Sequence, residues 1–454
     1  MNRILTRRDF LRISTQTGLG LSALALPGCR HSEPALLSPS GLGGYKALVC
    51  VFLYGGNDGY NMLVPLTQEK YDSYAKARLD LAIPKDQLLP VNGTAADGAA
   101  YGLHPQCPEL RELFNSGRAA LLANVGNLSF PTSKSDYAAG RVPPRLFSHN
   151  DQTDQWQTAH PDVLDASGWA GRMADVLSGA NRGAELPLNL SLAGTNLMQR
   201  GVQTGSFSFS AGGAQLLTAL GAGDDANGQL RAAFDRLRSL DPAQVFEQTY
   251  SDTLGRGIRL NELLAGELKK APELVTAFPA DNALASQLKM VAQLISIRSA
   301  LSLQRQIFFV ALGGFDTHDA QSTSQPVLMQ RLSQALRAFH DATVELGVAE
   351  RVTSFTASDF GRSLTVNGKG TDHGWGGHQW IIGGAVNGGG IYGMPPSLVP
   401  DGADDSEGGR FIPQTSVDEY GATLARWFGI GEADLRYVFP NLGRFATSNL
   451  GFML

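Results

Sequence analysis

Four stretches of the chain concentrate side chains that bind ions or move protons: Tyr54-Gly55-Gly56-Asn57-Asp58-Gly59-Tyr60-Asn61, Gly313-Gly314-Phe315-Asp316-Thr317-His318-Asp319, Ser358-Asp359-Phe360-Gly361-Arg362 and Thr371-Asp372-His373-Gly374-Trp375-Gly376-Gly377-His378. Carboxylates alone would suit Ca²⁺ or Mg²⁺, whereas carboxylate mixed with imidazole suits Zn²⁺, Mn²⁺ or Fe. The mixture of Asp58, Asp316, Asp359, His318, His373 and His378 favours a divalent transition metal, Zn or Mn, as one ion or two. Taken singly, each stretch reads first as a loop in which Asp and Asn bond their own backbone and Gly supplies positive φ. Four of them delivered to one edge of a sheet make a site.

The neighbouring segments predict such an edge. Lys46 to Leu53 is an unbroken apolar run between Gly-rich turns, the pattern of a strand buried on both faces, and similar runs recur at 119–125, 306–312 and 352–357. Between the last two, Leu328, Leu332, Leu336 and Phe339 fall on one face of a helix over 327–347. Strands alternating with helices predict a mostly parallel, doubly wound α/β sheet, whose ligands lie beyond the carboxyl ends of its strands. Residues 205–305 hold three helical patterns without a convincing strand and read as a helical insertion. Ser416-Val417-Asp418-Glu419 is a capping box opening a helix that carries Leu424 and Trp427. His104 reads as packing or capping beside the next helix and His340 as exposed, while His31 and His160 have no telling context. Cys50 and Cys107 read first as core residues, with a disulfide between them open in an oxidising compartment.

The chain has 454 residues, 43% hydrophobic and 17% charged, which excludes a disordered or disulfide-scaffolded protein. Residues 1–29 hold four arginines against one aspartate, so the remainder carries 33 basic and 41 acidic residues, a net charge of −8. That balance argues against a nucleic-acid surface. Thr6-Arg7-Arg8-Asp9-Phe10-Leu11-Arg12 followed by the mildly apolar Ile13 to Leu26 resembles a twin-arginine export signal, too polar and too short to span a bilayer. The predicted partner is the twin-arginine translocase, and the destination the periplasm or cell surface. Leu26-Pro27-Gly28-Cys29 resembles a lipobox, with cleavage after Ala23-Leu24-Ala25 the competing reading; lipid on Cys29 would be the chain's membrane contact.

The ordered set of twin-arginine leader, Gly55-Gly56-Asn57-Asp58-Gly59, Ser148-His149, Gly168-Trp169-Ala170-Gly171-Arg172, Gly313 to His318, Ser358 to Arg362 and Thr371 to Gly376 resembles the exported domain-of-unknown-function family 1501. That family is grouped with the alkaline phosphatase and sulfatase-like superfamily, so the resemblance implies one alkaline-phosphatase-like α/β sandwich over 44–454 with the insertion near 205–305. It implies that Asp58 is a first-strand metal carboxylate, Asp316 and His318 a mid-chain ligand pair, Asp359 a strand-end ligand and His373 a late ligand. Phe360 stands where the superfamily carries an adjacent histidine, so His378 or His149 would replace it, or the centre is mononuclear. The resemblance places a nucleophile in the interval that holds Ser148, which reads equally as a helix N-cap with Asp151 in the first turn. Cys107-Pro108-Glu109-Leu110-Arg111 has its proline one place too early for the sulfatase formylglycine signature. Arg362 and Arg141 are candidates to neutralise an anionic substrate, or to pair with local carboxylates.

Two functions follow. One is a metal-dependent hydrolase of phosphate or sulfate esters, on a small molecule or borne on a polymer, with Ser148 and Arg362 in the catalytic site. The other is a non-catalytic binding or assembly protein that keeps the fold, with or without a structural metal.

Overall fold

The computed structural model describes residues 43–214, 226–239 and 245–454. The twin-arginine motif, His31 and Cys29 lie outside the described residues. Strand β1 (Lys46–Tyr54) is apolar throughout because both its faces are covered. Ala47, Val49, Val51 and Leu53 enter one apolar cluster, and the alternate residues Leu48, Cys50 and Phe52 enter another.

The remaining sheet strands are β2 (Ala119–Gly126), β3 (Asn189–Ser191), β4 (Ser206–Ser208), β5 (Arg305–Gly313), β6 (Val352–Ser358), β9 (Gly377–Gly383), β10 (Ile391–Tyr392) and β11 (Thr415–Ser416). A separate antiparallel pair is formed by β7 (Arg362–Val366) and β8 (Thr371–His373). The nine-stranded sheet runs β10-β2-β9-β6-β1-β5-β3-β4, with β11 also on β2. Only the pairings of β9, with β2 and β6, are antiparallel. The fold is therefore mixed α/β around a mostly parallel sheet. β1 lies between β5 and β6 with Tyr54 opposite Gly313 and Leu53 opposite Ser358, so three carboxyl ends reach one edge nearly in step.

Helices cover both faces. The first four needed here are α1 (Gly59–Met62), α2 (Gln68–Arg78), α3 (Pro108–Asn115) and α4 (His149–Thr158), followed by α5 (Trp169–Val176). The described residues of the interval 205–305 form the short edge strand β4 and three helices, α6 (Ala226–Ser239), α7 (Val245–Leu268) and α8 (Ala283–Ser296). Then come α9 (Gln321–Glu345) and α10 (Val417–Phe428). Apolar residues of α3, α8 and α9 share the cluster under Val49 and Val51; those of α5 and α10 share the cluster under Phe52. The last helix of the expected insertion is thus a layer of the sandwich, with Leu284, Leu288, Val291 and Ile295 buried against the sheet.

Three sequence expectations change. α9 begins at Gln321 and continues through Pro326, which removes one helical N–H bond without ending a 25-residue helix packed along its length. His340, expected on the surface, is 7% exposed, because its position on α9 is covered by neighbouring elements. Cys50 and Cys107 are both free and lie in clusters on opposite faces of the sheet, which excludes a disulfide between them. The capping box is present as read: Ser416 Oγ accepts from Glu419 N at 3.1 Å, and Glu419 Oε2 accepts from Ser416 N at 2.9 Å.

Candidate metal centre

At the carboxyl edge of β1, β5 and β6, the loop after β5 folds back onto β1 through a bond from Phe315 N to Tyr54 O of 3.1 Å, which sets Asp316 at the sheet edge. Gly55 passes beneath with φ +113°, where an added Cβ would lie 2.3 Å from Asp316 N. Only glycine tolerates both that dihedral and that approach. Asp359 follows β6 directly, His373 closes β8 opposite Arg362 at the start of β7, and His149 opens α4.

These pieces converge. Ligand atoms of His149, Asp316 and His373 lie within 4.8 Å of one another. His149 Nε2 is 3.4 Å from Asp316 Oδ2, and His373 Nε2 is 3.3 Å from Asp316 Oδ1. His318 joins at the rim, its Nε2 3.1 Å from Asp316 Oδ1 and 2.8 Å from His373 Nε2.

The outer bonds of the rings fix where the protons sit. Phe147 O can only accept, so His373 Nδ1 donates to it at 2.7 Å. Asp359 Oδ2, which already accepts from Gly55 N at 3.1 Å, accepts from His149 Nδ1 at 2.7 Å. Asp372 Oδ1 accepts from His318 Nδ1 at 3.2 Å. In the neutral form of such a ring a proton on Nδ1 leaves the Nε2 lone pair turned toward Asp316. His318 Nε2 and His373 Nε2, 2.8 Å apart, can share either a proton or a cation. His149 Nε2 is buried with no hydrogen-bond partner, which leaves its lone pair unmet by protein. The donor set fits a divalent ion that takes nitrogen and oxygen, Zn²⁺ or Mn²⁺.

Charge is arranged to match. Burial pushes the Asp316 carboxyl up, but the bond and charge of Arg362, with His149 and His318 nearby, outweigh it and hold Asp316 below the usual carboxylate range. Burial pushes His373 down, in favour of the neutral ring and against the bond to Phe147 O. Burial also pushes the Asp359 carboxyl up, against the bonds from His149 and Gly55. Phe360, where an imidazole had been sought, is buried and lies 4.8 Å from both His149 and His373 by ring centroid. It forms an apolar wall beneath the two rings, admitted because Gly56 at φ +81° has no Cβ to meet it.

The structure therefore divides the candidates. Asp316 and His373 stand in the centre, His318 borders it, and Asp359 acts one shell out through His149. Asp58 stands apart as the N-cap of α1, with Oδ1 accepting from Arg78 Nη2 at 2.5 Å and Oδ2 from Gln321 Nε2 at 2.5 Å. His378 is buried in β9, accepts from Asn124 N at 3.0 Å, and is held by burial down at about 4. His149, considered only as a substitute, is the histidine that joins Asp316 and His373. Arg362 is fully buried and donates to Asp316 Oδ1 at 2.9 Å, Gly55 O at 2.9 Å and Thr371 Oγ1 at 3.0 Å. It orients Asp316 and presents no free face to a substrate. Ser148 is the N-cap residue of α4, makes no bond to the helix N–H groups, and donates to Asp151 Oδ2 at 2.6 Å. Arg141 is occupied by Asp136.

Sequence reasoning missed the Phe147 carbonyl, which reaches His373 because Phe147 adopts φ 68°, and missed Arg410. Arg410 Nε donates to His373 O at 2.8 Å, and the guanidinium lies 4.7 Å from the centroid of Phe147. No spacing rule points to either residue, since one acts through its backbone and the other is 37 residues from its partner.

Fold and site together define the class: a mixed α/β protein with an imidazole–carboxylate cluster at the carboxyl edge of a mostly parallel sheet. Residues 45–409 match the family described as Protein of unknown function (DUF1501), and the chain belongs to that family. No curated protein matches it. Among solved structures the chain is similar to Ps i-CgsB in complex with k-i-k-neocarrahexaose, at 12% identity and TM-score 0.34, covering 89% of this chain and 75% of that one. It is also similar to the PsFucS1 sulfatase from Pseudoalteromonas sp., at 10% identity and TM-score 0.33, covering 87% and 70%.

Proposed function

We propose that this chain is an exported, metal-dependent hydrolase of phosphate or sulfate esters. The observation that carries the reading is the convergence of Nε2 lone pairs from His149, His373 and His318 on Asp316, each ring locked by an acceptor behind it. A divalent ion held there, Zn²⁺ or Mn²⁺, would supply Lewis-acid chemistry: polarising an anionic ester oxygen and easing deprotonation of a hydroxyl or water. The protein's own part is positional. Asp359 and the Phe147 carbonyl keep His149 and His373 in the Nδ1–H form, Arg362 holds Asp316 ionised, and Arg410, paired through Nη1 with Glu407, leaves only the rest of its guanidinium beside His373 for the anionic group. Ser148, immediately before His149, is the candidate nucleophile, and Asp151 can receive its proton across 2.6 Å.

Export by the twin-arginine translocase to the periplasm or cell surface, with Cys29 acylated or the signal cleaved, completes the reading. Among the described residues no helix is long and apolar enough to cross a membrane. The non-catalytic alternative is favoured by one feature: the hydroxyl of Ser148 and the guanidinium of Arg362 are both engaged within the protein. The test is to purify the exported chain, determine its metal, and assay a panel of aryl and sugar sulfates and phosphates beside His373→Ala. Metal-dependent turnover lost in the variant supports the hydrolase. Bound metal with no turnover by the wild type supports the binding protein, and absence of stoichiometric metal refutes the hydrolase.

A further inference from the structure

We propose that this centre holds one divalent ion per chain, and that the buried guanidinium of Arg78 fills, beside Asp58, the cationic role of a second ion. The inference rests on the metal reading above and deepens it.

Asp58 and Arg78 are both sealed from solvent, with side-chain exposures of 1% and 0%. A buried carboxylate needs an opposite charge and donors for its oxygens. Arg78 supplies the charge, and both oxygens have donors: Oδ1 accepts from Arg78 Nη2 at 2.5 Å, Tyr60 N at 3.0 Å and Asn61 N at 3.3 Å, while Oδ2 accepts from Gln321 Nε2 at 2.5 Å. Oδ1 is taken up by three donors and Oδ2 keeps a single lone pair, too little to hold an ion whose sites take four or more ligands. The remainder of the guanidinium lies 5.8 Å from the centroid of Tyr60, within reach of its π face.

The route from this pair to the imidazole cluster is also closed. Gln321 Oε1 accepts from Thr371 Oγ1 at 2.7 Å, and Thr371 Oγ1 accepts from Arg362 Nε at 3.0 Å. Arg362 Nη1 then donates to Asp316 Oδ1 at 2.9 Å. Two ions sharing Asp316 would compete with Arg362, which already occupies one lone pair of Oδ1. Asp359 gives Oδ2 to Gly55 and His149, leaving a single acceptor, Oδ1, without a partner. One oxygen cannot hold an ion whose sites take four or more ligands. Among the described residues, the His, Cys, Asp and Glu ligand atoms that converge gather around one point, those of His149, Asp316 and His373 with His318 at the rim. The guanidinium of Arg78 thus balances Asp58, which the ion does not reach, while that of Arg362 orients Asp316, which it does.

The exported, purified full chain is loaded with Zn²⁺, and in parallel with Mn²⁺, freed of excess by gel filtration, and counted by elemental analysis and native mass spectrometry. One ion per chain is the expected result. Two ions overturn this inference and leave the metal reading intact; none overturns the metal reading and this inference with it. Asp58→Asn, its folding checked by circular dichroism, should retain the ion, whereas His373→Ala should lose it. A folded Asp58→Asn protein that loses an ion would overturn the assignment of Arg78. If that variant does not fold, the wild-type count decides.

Discussion

Asp359→Asn separates a residue that tunes a metal ligand from one that merely fills space. Asp359 is buried, and its Oδ2 receives both Gly55 N and His149 Nδ1, while Oδ1 meets no partner. Asparagine has nearly the same shape, and its carbonyl can take over both bonds. What disappears is the charge behind His149, which raises the basicity of Nε2. Losing such a partner weakens ion binding about 10- to 100-fold, or roughly 1.4–2.7 kcal/mol. At Zn²⁺ 100 times the wild-type Kd, binding stabilises the fold by ~2.7 kcal/mol, and a tenfold weaker site leaves about half of that. The metal-free protein should respond differently. Burial raises the Asp359 carboxyl above its unfolded value, so its contribution to stability is present at low pH and is lost as pH rises through the folded value. At pH 7 the apo variant should then be as stable as the apo wild type, or more so. The assay is Zn²⁺ titration by calorimetry with thermal melts of apo and loaded protein. A Zn²⁺ affinity within twofold of wild type, or an apo protein that melts far earlier, would refute the argument.

The remaining predictions concern other links of the same chain. Gly55→Ala should destabilise the protein by about 1–3 kcal/mol and weaken Zn²⁺ binding together, because its Cβ would press on Asp316 N at an unfavourable dihedral; thermal melts and Zn²⁺ titration read both effects. Ser148→Ala should cost less than ~1 kcal/mol, since Ser148 makes no helix-capping bond, yet abolish ester turnover if its oxygen attacks; a fully active variant would exclude that role. His104 and His378 are both held by burial at about 4 and both accept a backbone N–H through Nδ1. Their stabilising contribution is complete above the ordinary histidine pKa and is lost as pH falls from there toward 4, on the order of 3 kcal/mol each, so denaturant midpoints should drop over that interval and drop less in His104→Gln. Replacing Arg7 and Arg8 by Lys should retain the precursor in the cytoplasm, and normal periplasmic accumulation would remove the export assignment.

What the sequence determined by itself was the scaffold and the edge. The runs that became β1, β2, β5 and β6 are apolar at consecutive positions because both faces are covered, and that pattern is local. The capping box at Ser416 and Glu419 is local for the same reason, since four adjacent residues hold both partners. Strand ends followed by Asp316, His318, Asp359 and His373 placed the chemistry on one edge before any coordinates. Tertiary structure decided which of those groups meet. Asp58 looked like a ligand until Arg78, 20 residues away on α2, arrived as its counter-charge. His378 lies five residues beyond His373 yet is enclosed in β9, while His149, more than 150 residues from Asp316, closes the centre. Phe360 and Gly56 meet only because β1 and β6 are neighbours in the sheet. Whether a carboxylate is free to hold an ion depends on which donors reach it first, and donors separated by tens or hundreds of residues are assigned by packing, which residue spacing does not encode.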